Sequence, residues 1–205
     1  ALLQLLDFTR KLDVISIVGL PVAVGGLLLN CAAVVQKGCL LGIVPKTYLP
    51  NYNEFYEKRW FASSRDLRPT EIYLAGSSVE LSPDPKVFVT VDGTRFGIEI
   101  CEDVWAPVPP SNNLALAGAD IVFNLSASNE LIGKHAYLKS LLAQQSARTI
   151  SGYVYAGSGF GESTQDVVYG GNALVYENGA LLCEGDRFSL EPQLLVAQVD
   201  VDRLR

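Results

Sequence analysis

Between residues 14 and 36 the chain carries no charged side chain, and a run of that length has to be buried, either in protein or in lipid. A transmembrane helix needs about 20 consecutive apolar residues, so length alone admits one. Pro21, the Gly25-Gly26 pair and Asn30 interrupt the run, and Val and Ile dominate its first half. Two buried strands, 14–20 and 27–36, joined by a glycine turn fit this pattern better than a membrane span. No signal-peptide pattern precedes them.

The rest of the chain alternates strand and helix signals. A Lys37-Gly38 turn leads into a third strand, 39–44. Residues 45–86 are punctuated by Pro45, Pro50, Pro69, Pro83 and Pro85 and read as loop-rich, with a short helix over 54–60. Asp92-Gly93 joins strands 87–91 and 94–100, and Asn178-Gly179 joins 172–176 and 180–184; both dipeptides are strong hairpin signals. Strands are expected at 119–124, 152–156 and 194–201. Helical spacing covers 1–10 and 130–149. Hairpins beside strand–helix–strand units predict a layered α/β domain with a mixed sheet or sheets.

With 49% hydrophobic and 19% charged residues, 205 residues suffice for one large folded domain rather than a disordered chain. The net charge is −6 and no basic run occurs, which argues against a nucleic-acid partner. Four cysteines (Cys31, Cys39, Cys101, Cys183) lack metal-type pairing and read as reduced thiols of a cytoplasmic protein. A single histidine, His135, argues against a zinc site and against a histidine-activated nucleophile. The chain lacks an initial Met and opens inside an apolar helical pattern, as expected of a domain cut from a longer protein.

Cys101 ends a strand-like run and is followed by Glu102-Asp103. Cysteine is most often a small buried hydrophobe. Here the charged turn favours presentation at the lip of a sheet, where a thiol activated by a nearby lysine or carboxylate attacks amides. Lys46 follows another apolar run and sits among Pro45, Tyr48, Pro50 and Tyr52. It is either a solvated lysine or, in a rigid loop, a cation for a developing oxyanion. Glu54 and Glu57 stand one helical turn apart, a pattern also shown by solvated helix faces. Ser128 or Asn129 either caps the following helix or contacts a ligand.

Four segments, GIVPKTYLPNYNEFYEKRWF (42–61), FGIEICEDVWAP (96–107), NLSASNELIGK (124–134) and YGGNALVYENG (169–179), closely resemble the nitrilase-like (carbon–nitrogen hydrolase) glutaminase domains of glutamine-dependent NAD+ synthetases. The resemblance runs along nearly the whole chain and implies an αββα sandwich. It implies Cys101 as the nucleophile and Lys46 as the lysine of a Glu-Lys-Cys triad, with Glu54 as an auxiliary carboxylate. Tyr52, Glu102, Ser128 and Lys134 match the positions that hold glutamine, although the family also places arginine at the last of these. The triad glutamate belongs to a Pro-Glu motif that does not precede Lys46 here, so the segment is expected to be N-terminally truncated and inactive by itself. The partners implied are glutamine, a synthetase domain of the same parent chain and further copies in a homo-oligomer. No cofactor is implied for this domain; ATP and magnesium belong to the synthetase domain. Two alternatives are a free-standing nitrilase-type amidase and a non-catalytic interaction module of the same fold.

Overall fold

Gly25 and Gly26 both take positive φ, 55° and 81°, a conformation glycine reaches without a Cβ penalty. The uncharged stretch therefore doubles back as an antiparallel pair, β1 (Ser16–Val24) and β2 (Leu27–Gln36). The computed structural model describes residues 1–162 and 166–205 and divides into two units, Ala1–Asp84 and Pro85–Arg205. Among the described residues no helix is long and apolar enough to cross a membrane.

In the first unit, Lys37-Gly38 turns the chain into β3 (Cys39–Pro45), which completes a three-stranded antiparallel sheet. Leu29, Cys31, Ala33 and Val35 share one face of β2, as the two-residue period of a strand requires. They pack in one cluster with Leu6 of α1 (Leu2–Thr9) and with Val79 and Leu81. The last two belong to a hairpin, β4 (Thr70–Leu74) and β5 (Ser77–Leu81), turned by Ala75-Gly76 with both φ positive. The prolines suggested only loop here. They flank the hairpin instead, at positions where no ladder donor is needed. The short helix expected over 54–60 reduces to one 3-10 turn, Glu57–Arg59.

The second unit carries a six-stranded mixed sheet in the order β11-β10-β9-β8-β7-β6. β6 (Val87–Val89) and β7 (Arg95–Ile100) form the expected hairpin, with Gly93 alone of the Asp92-Gly93 pair at positive φ. β7, β8 (Ile121–Ser126) and β9 (Gly152–Gly157) are parallel neighbours. Parallel strands need a crossover, supplied by α2 (Pro110–Leu116) and α3 (Lys134–Thr149). β10 (Ala173–Glu177) and β11 (Ala180–Glu184) close the sheet through Asn178-Gly179, both at positive φ. Leu114, Leu138 and Leu142 of the helices pack with Val122, Tyr153, Tyr155 and Leu174 of the strands in one core. Gly97 permits the closest approach: a Cβ there would lie 2.6 Å from Leu114 Cδ2.

Two expectations are corrected in this unit. Residues 194–201 run without a strand ladder and lead into α4 (Val201–Leu204); Asp200 N–H donates to Glu177 Oε2 at 2.8 Å, so a side chain and not a strand anchors the segment. The helix expected from residue 130 begins at Lys134, after Gly133 at φ 81°. Upstream, Glu130 N–H donates to Val168 O at 2.7 Å and its carboxylate pairs with Arg187 at 2.6 Å. These tertiary bonds outweigh local helical spacing, and neither Ser128 nor Asn129 caps α3.

Candidate active site

Each unit positions one group of the candidate residues. In the first, Lys46 follows directly on β3. Its N–H donates to Asn30 O at 2.8 Å and its carbonyl accepts from Ser64 N–H at 2.9 Å, so its backbone is fixed on both sides. Its side chain is only 2% exposed, and Nζ lies 2.5 Å from Glu57 Oε2. Glu57 Oε1 accepts from Asn30 Nδ2 at 2.8 Å. An ammonium this deeply buried needs a partner, and Glu57 is that partner, itself held by β2. The loop after Lys46 is shaped by Ser63 Oγ donating to Thr47 O at 2.5 Å and by Arg65, which donates to Tyr48 OH at 2.6 Å and lies over its ring.

Glu54, the auxiliary carboxylate implied by the resemblance, is half-buried three residues before Glu57. The carboxylate that meets Lys46 is that of Glu57. The sequence offered both glutamates, and spacing alone did not rank them. Tyr52 is 51% exposed, with its ring edge-on to Phe55.

In the second unit Cys101 leaves the carboxyl end of β7 and heads a 3-10 turn, Cys101–Trp105. Its φ is +50°, a region that non-glycine residues enter only when their surroundings hold them there. Two bonds hold it: Ile100 N–H donates to Asp103 Oδ2 at 2.8 Å, and Cys101 N–H donates to Asn124 Oδ1 at 3.2 Å. Cys101 is 8% exposed. Glu102 follows it, half-buried. Open α/β sheets place their ligands outside the carboxyl ends of parallel strands; Cys101 follows β7 there, and Ser128 follows β8.

Tyr155 of β9 ties these strand ends together. Burial, reinforced by charge at Cys101, pushes its phenol well above the usual value, and Ser128 is among its hydrogen-bonding partners. It therefore remains a neutral donor, bonded to Ser126 Oγ at 2.7 Å. Ser128 and Lys134 line one small cavity with Asn129, Glu130, His135 and Asn172. Lys134 Nζ donates to Asn129 Oδ1 and lies 5.2 Å from the centre of the Trp105 ring, which stacks on Tyr137. A fixed ammonium beside a serine hydroxyl suits a carboxylate-bearing ligand. Among the described residues, no cluster of three or more His, Cys, Asp or Glu could hold a metal ion.

All four cysteines are free thiols. Cys31 lies fully buried in the first unit's core, and burial pushes its thiol up to about 12. It is inert as a nucleophile near neutral pH, because the thiolate is the reactive form.

The family model for carbon–nitrogen hydrolases matches residues 1–205. The chain is 42% identical over 207 aligned residues to the glutamine-dependent NAD(+) synthetase of Mycobacterium tuberculosis, covering 100% of this chain and 30% of that one. Against the synthetase of Mycobacterium leprae it is 40% identical, covering 92% of this chain and 28% of that one. This chain thus spans under a third of the length of these curated relatives. Among solved structures, the glutamine-dependent NAD(+) synthetase of Cytophaga hutchinsonii aligns with a TM-score of 0.78 at 28% identity, over 91% of this chain and 30% of that one. The carbon-nitrogen hydrolase of Helicobacter pylori aligns with a TM-score of 0.77 at 19% identity, over 98% of this chain and 67% of that one. The mixed α/β fold is nitrilase-like, as expected.

Proposed function

This chain belongs to the carbon–nitrogen hydrolase family, and from that membership we propose that it is the glutamine-hydrolysing part of an NAD+ synthetase, releasing ammonia for amidation of nicotinic acid adenine dinucleotide. The observation that carries the proposal is the backbone at Cys101: a cysteine at φ +50° on the carboxyl end of a parallel strand, held by Asn124 and Asp103. Non-glycine residues held in such conformations cluster at active sites, which supports reading Cys101 as a presented nucleophile.

The chemistry follows. Cys101 Sγ attacks the side-chain carboxamide carbon of glutamine, giving up its proton to a glutamate that we assign to the parent polypeptide outside this segment. Lys46 and a backbone N–H beyond Cys101, that of Glu102, stabilise the oxyanion. The carbon–nitrogen bond breaks, the glutamate returns the proton to the leaving group, and ammonia departs. Water, deprotonated by the same glutamate, cleaves the thioester; glutamate product leaves and the thiol recovers its proton. Glu57 holds the Lys46 side chain in place. Tyr52, Glu102, Ser128 and Lys134 hold the amino-acid end of glutamine, with Glu54 as a further carboxylate of the site. ATP and magnesium act in the synthetase domain of the parent polypeptide, and no residue of this chain is assigned to them.

A free-standing amidase would use the same thiol on other small amides. The separating experiment is a substrate panel on the intact parent polypeptide. We expect glutamine to exceed acetamide and propionamide by at least about 10³-fold in kcat/KM, because a site built to pair charged groups rejects ligands lacking them strongly. Comparable turnover of simple amides would overturn the glutaminase assignment in favour of a general amidase.

A further inference from the structure

Glu99 is 1% exposed, lies two residues before Cys101, and has no part in the chemistry above. Burial holds its carboxyl above the ordinary range, against the opposing effect of hydrogen bonds from Tyr153, Ser111 and Asn124. A buried ionisable group in a strand core is costly. Its bonding shows what it does there.

Glu99 Oε2 accepts from Ser111 N–H at 2.8 Å, and Glu99 Oε1 accepts from the Tyr153 hydroxyl. The Tyr153 oxygen in turn accepts from Asn124 Nδ2 at 3.2 Å, and Asn124 Oδ1 accepts the backbone N–H of Cys101 at 3.2 Å. Gln145 Nε2, donating to Ser111 Oγ at 2.9 Å, anchors the far end. Every member is buried and every bond has a direction. In its ionised form Glu99 can only accept, so Tyr153 donates to it. The Tyr153 oxygen is then left as an acceptor, so Asn124 must turn its NH2 toward it. The Asn124 carbonyl is thereby forced toward Cys101. A proton on Glu99 Oε1 would be donated to the Tyr153 oxygen instead, reversing that bond and with it the demand on the Asn124 amide.

We propose that Glu99 is a positioning residue for the nucleophile: through Tyr153 it fixes the orientation of the Asn124 amide, and the Asn124 carbonyl holds the backbone of Cys101 in its left-handed conformation. An amide nitrogen turned toward Cys101 N–H would set donor against donor and release that conformation. The kinetic consequence rests on Cys101 being the nucleophile; the structural consequence does not.

The test moves the carboxylate along the chain of bonds. In Glu99→Gln the amide must accept from Ser111 N–H, so its NH2 faces Tyr153, whose proton then requires the Asn124 carbonyl. Asn124 is pulled round and Cys101 is released. In the double variant Glu99→Gln/Asn124→Asp, the carboxylate introduced at position 124 accepts from both Tyr153 and Cys101 N–H, and every bond is satisfied again. Kinetics on the intact parent polypeptide should show kcat for glutamine falling about 10²-fold in Glu99→Gln, with KM within about threefold, as for a misplaced reacting group. The double variant should recover at least about tenfold of that loss, which a mere packing role does not allow.

Hydrogen exchange of the Cys101 amide is measured in parallel. It should accelerate in Glu99→Gln and return toward the parent rate in the double variant. A double variant no faster in turnover than Glu99→Gln and no better protected at Cys101 overturns the proposal. If Glu99→Gln fails to fold, the double variant is compared with the parent directly, and loss of amide protection at Cys101 overturns it. A parent with no glutaminase activity would sink the function proposed above, while the exchange comparison would still decide the role of Glu99.

Discussion

Replacing Cys101 with alanine in the intact parent polypeptide abolishes glutamine-dependent turnover and leaves ammonia-dependent turnover within about twofold of the parent. The expected loss is at least about 10⁴-fold, the scale seen when a covalent nucleophile is removed and only binding remains. The substitution is small: Cys101 is 8% exposed, and the bonds that hold it run from the backbone N–H groups of Ile100 and Cys101 to the side chains of Asp103 and Asn124, which alanine at 101 keeps. The strained φ of +50° costs alanine about what it costs cysteine. Loss of activity therefore cannot be assigned to unfolding if the thermal midpoint is unchanged. Steady-state assays with glutamine and with ammonium chloride, on the same preparation, check this. Equal loss of both activities would contradict a role confined to amide cleavage.

The second large effect concerns the buried ion pair. Removing the Glu57 carboxylate (Glu57→Ala) leaves the Lys46 ammonium, 2% exposed, without its counter-charge. Stranding one charge of a buried pair costs about 3–5 kcal/mol, to be read from denaturant unfolding. Glutamine-dependent kcat should fall with it, by about 10²-fold or more, because the cation proposed for the oxyanion loses the partner that holds it. Replacing both partners with apolar groups, Lys46→Met/Glu57→Leu, separates the two effects. Burial without charge is close to neutral for stability, so the double variant regains stability and stays inactive. A Glu57→Ala loss below about 1 kcal/mol would mean that the pair behaves like an exposed one.

Much of the fold was legible because turn chemistry is local. Gly25-Gly26, Lys37-Gly38 and Asn178-Gly179 all adopt positive φ, which glycine and asparagine accept readily, and each separates two paired strands. What failed was governed by distant groups. The start of α3 is displaced from residue 130 to Lys134 by Arg187 and Val168, far along the chain from Glu130. The β4–β5 hairpin was hidden by the prolines that bracket it, although Thr70–Leu74 alternates half-buried and exposed residues as a strand should. Residues 194–201 are apolar enough for a strand, yet carry no ladder.

The site divides the same way. Cys101 stood out because an apolar strand ends there in two carboxylates, and the structure adds the left-handed backbone that spacing could not reveal. Lys46 read equally well as a solvated lysine; its burial and its bond to Glu57 are tertiary facts. Glu99 gave no signal as a functional residue, since a glutamate in an alternating strand reads as its solvent face. Only the placement of Ser111, Tyr153 and Asn124 around it shows otherwise.

The most direct test is peptide mapping by mass spectrometry, after brief exposure of the intact parent polypeptide to a diazoketone analogue of glutamine. A single adduct on the peptide containing Cys101, suppressed by excess glutamine and formed well before any label on exposed Cys39 or on buried Cys31, is the predicted result. Labelling that ignores glutamine, or that favours Cys39 over Cys101, would contradict Cys101 as the residue that attacks the substrate.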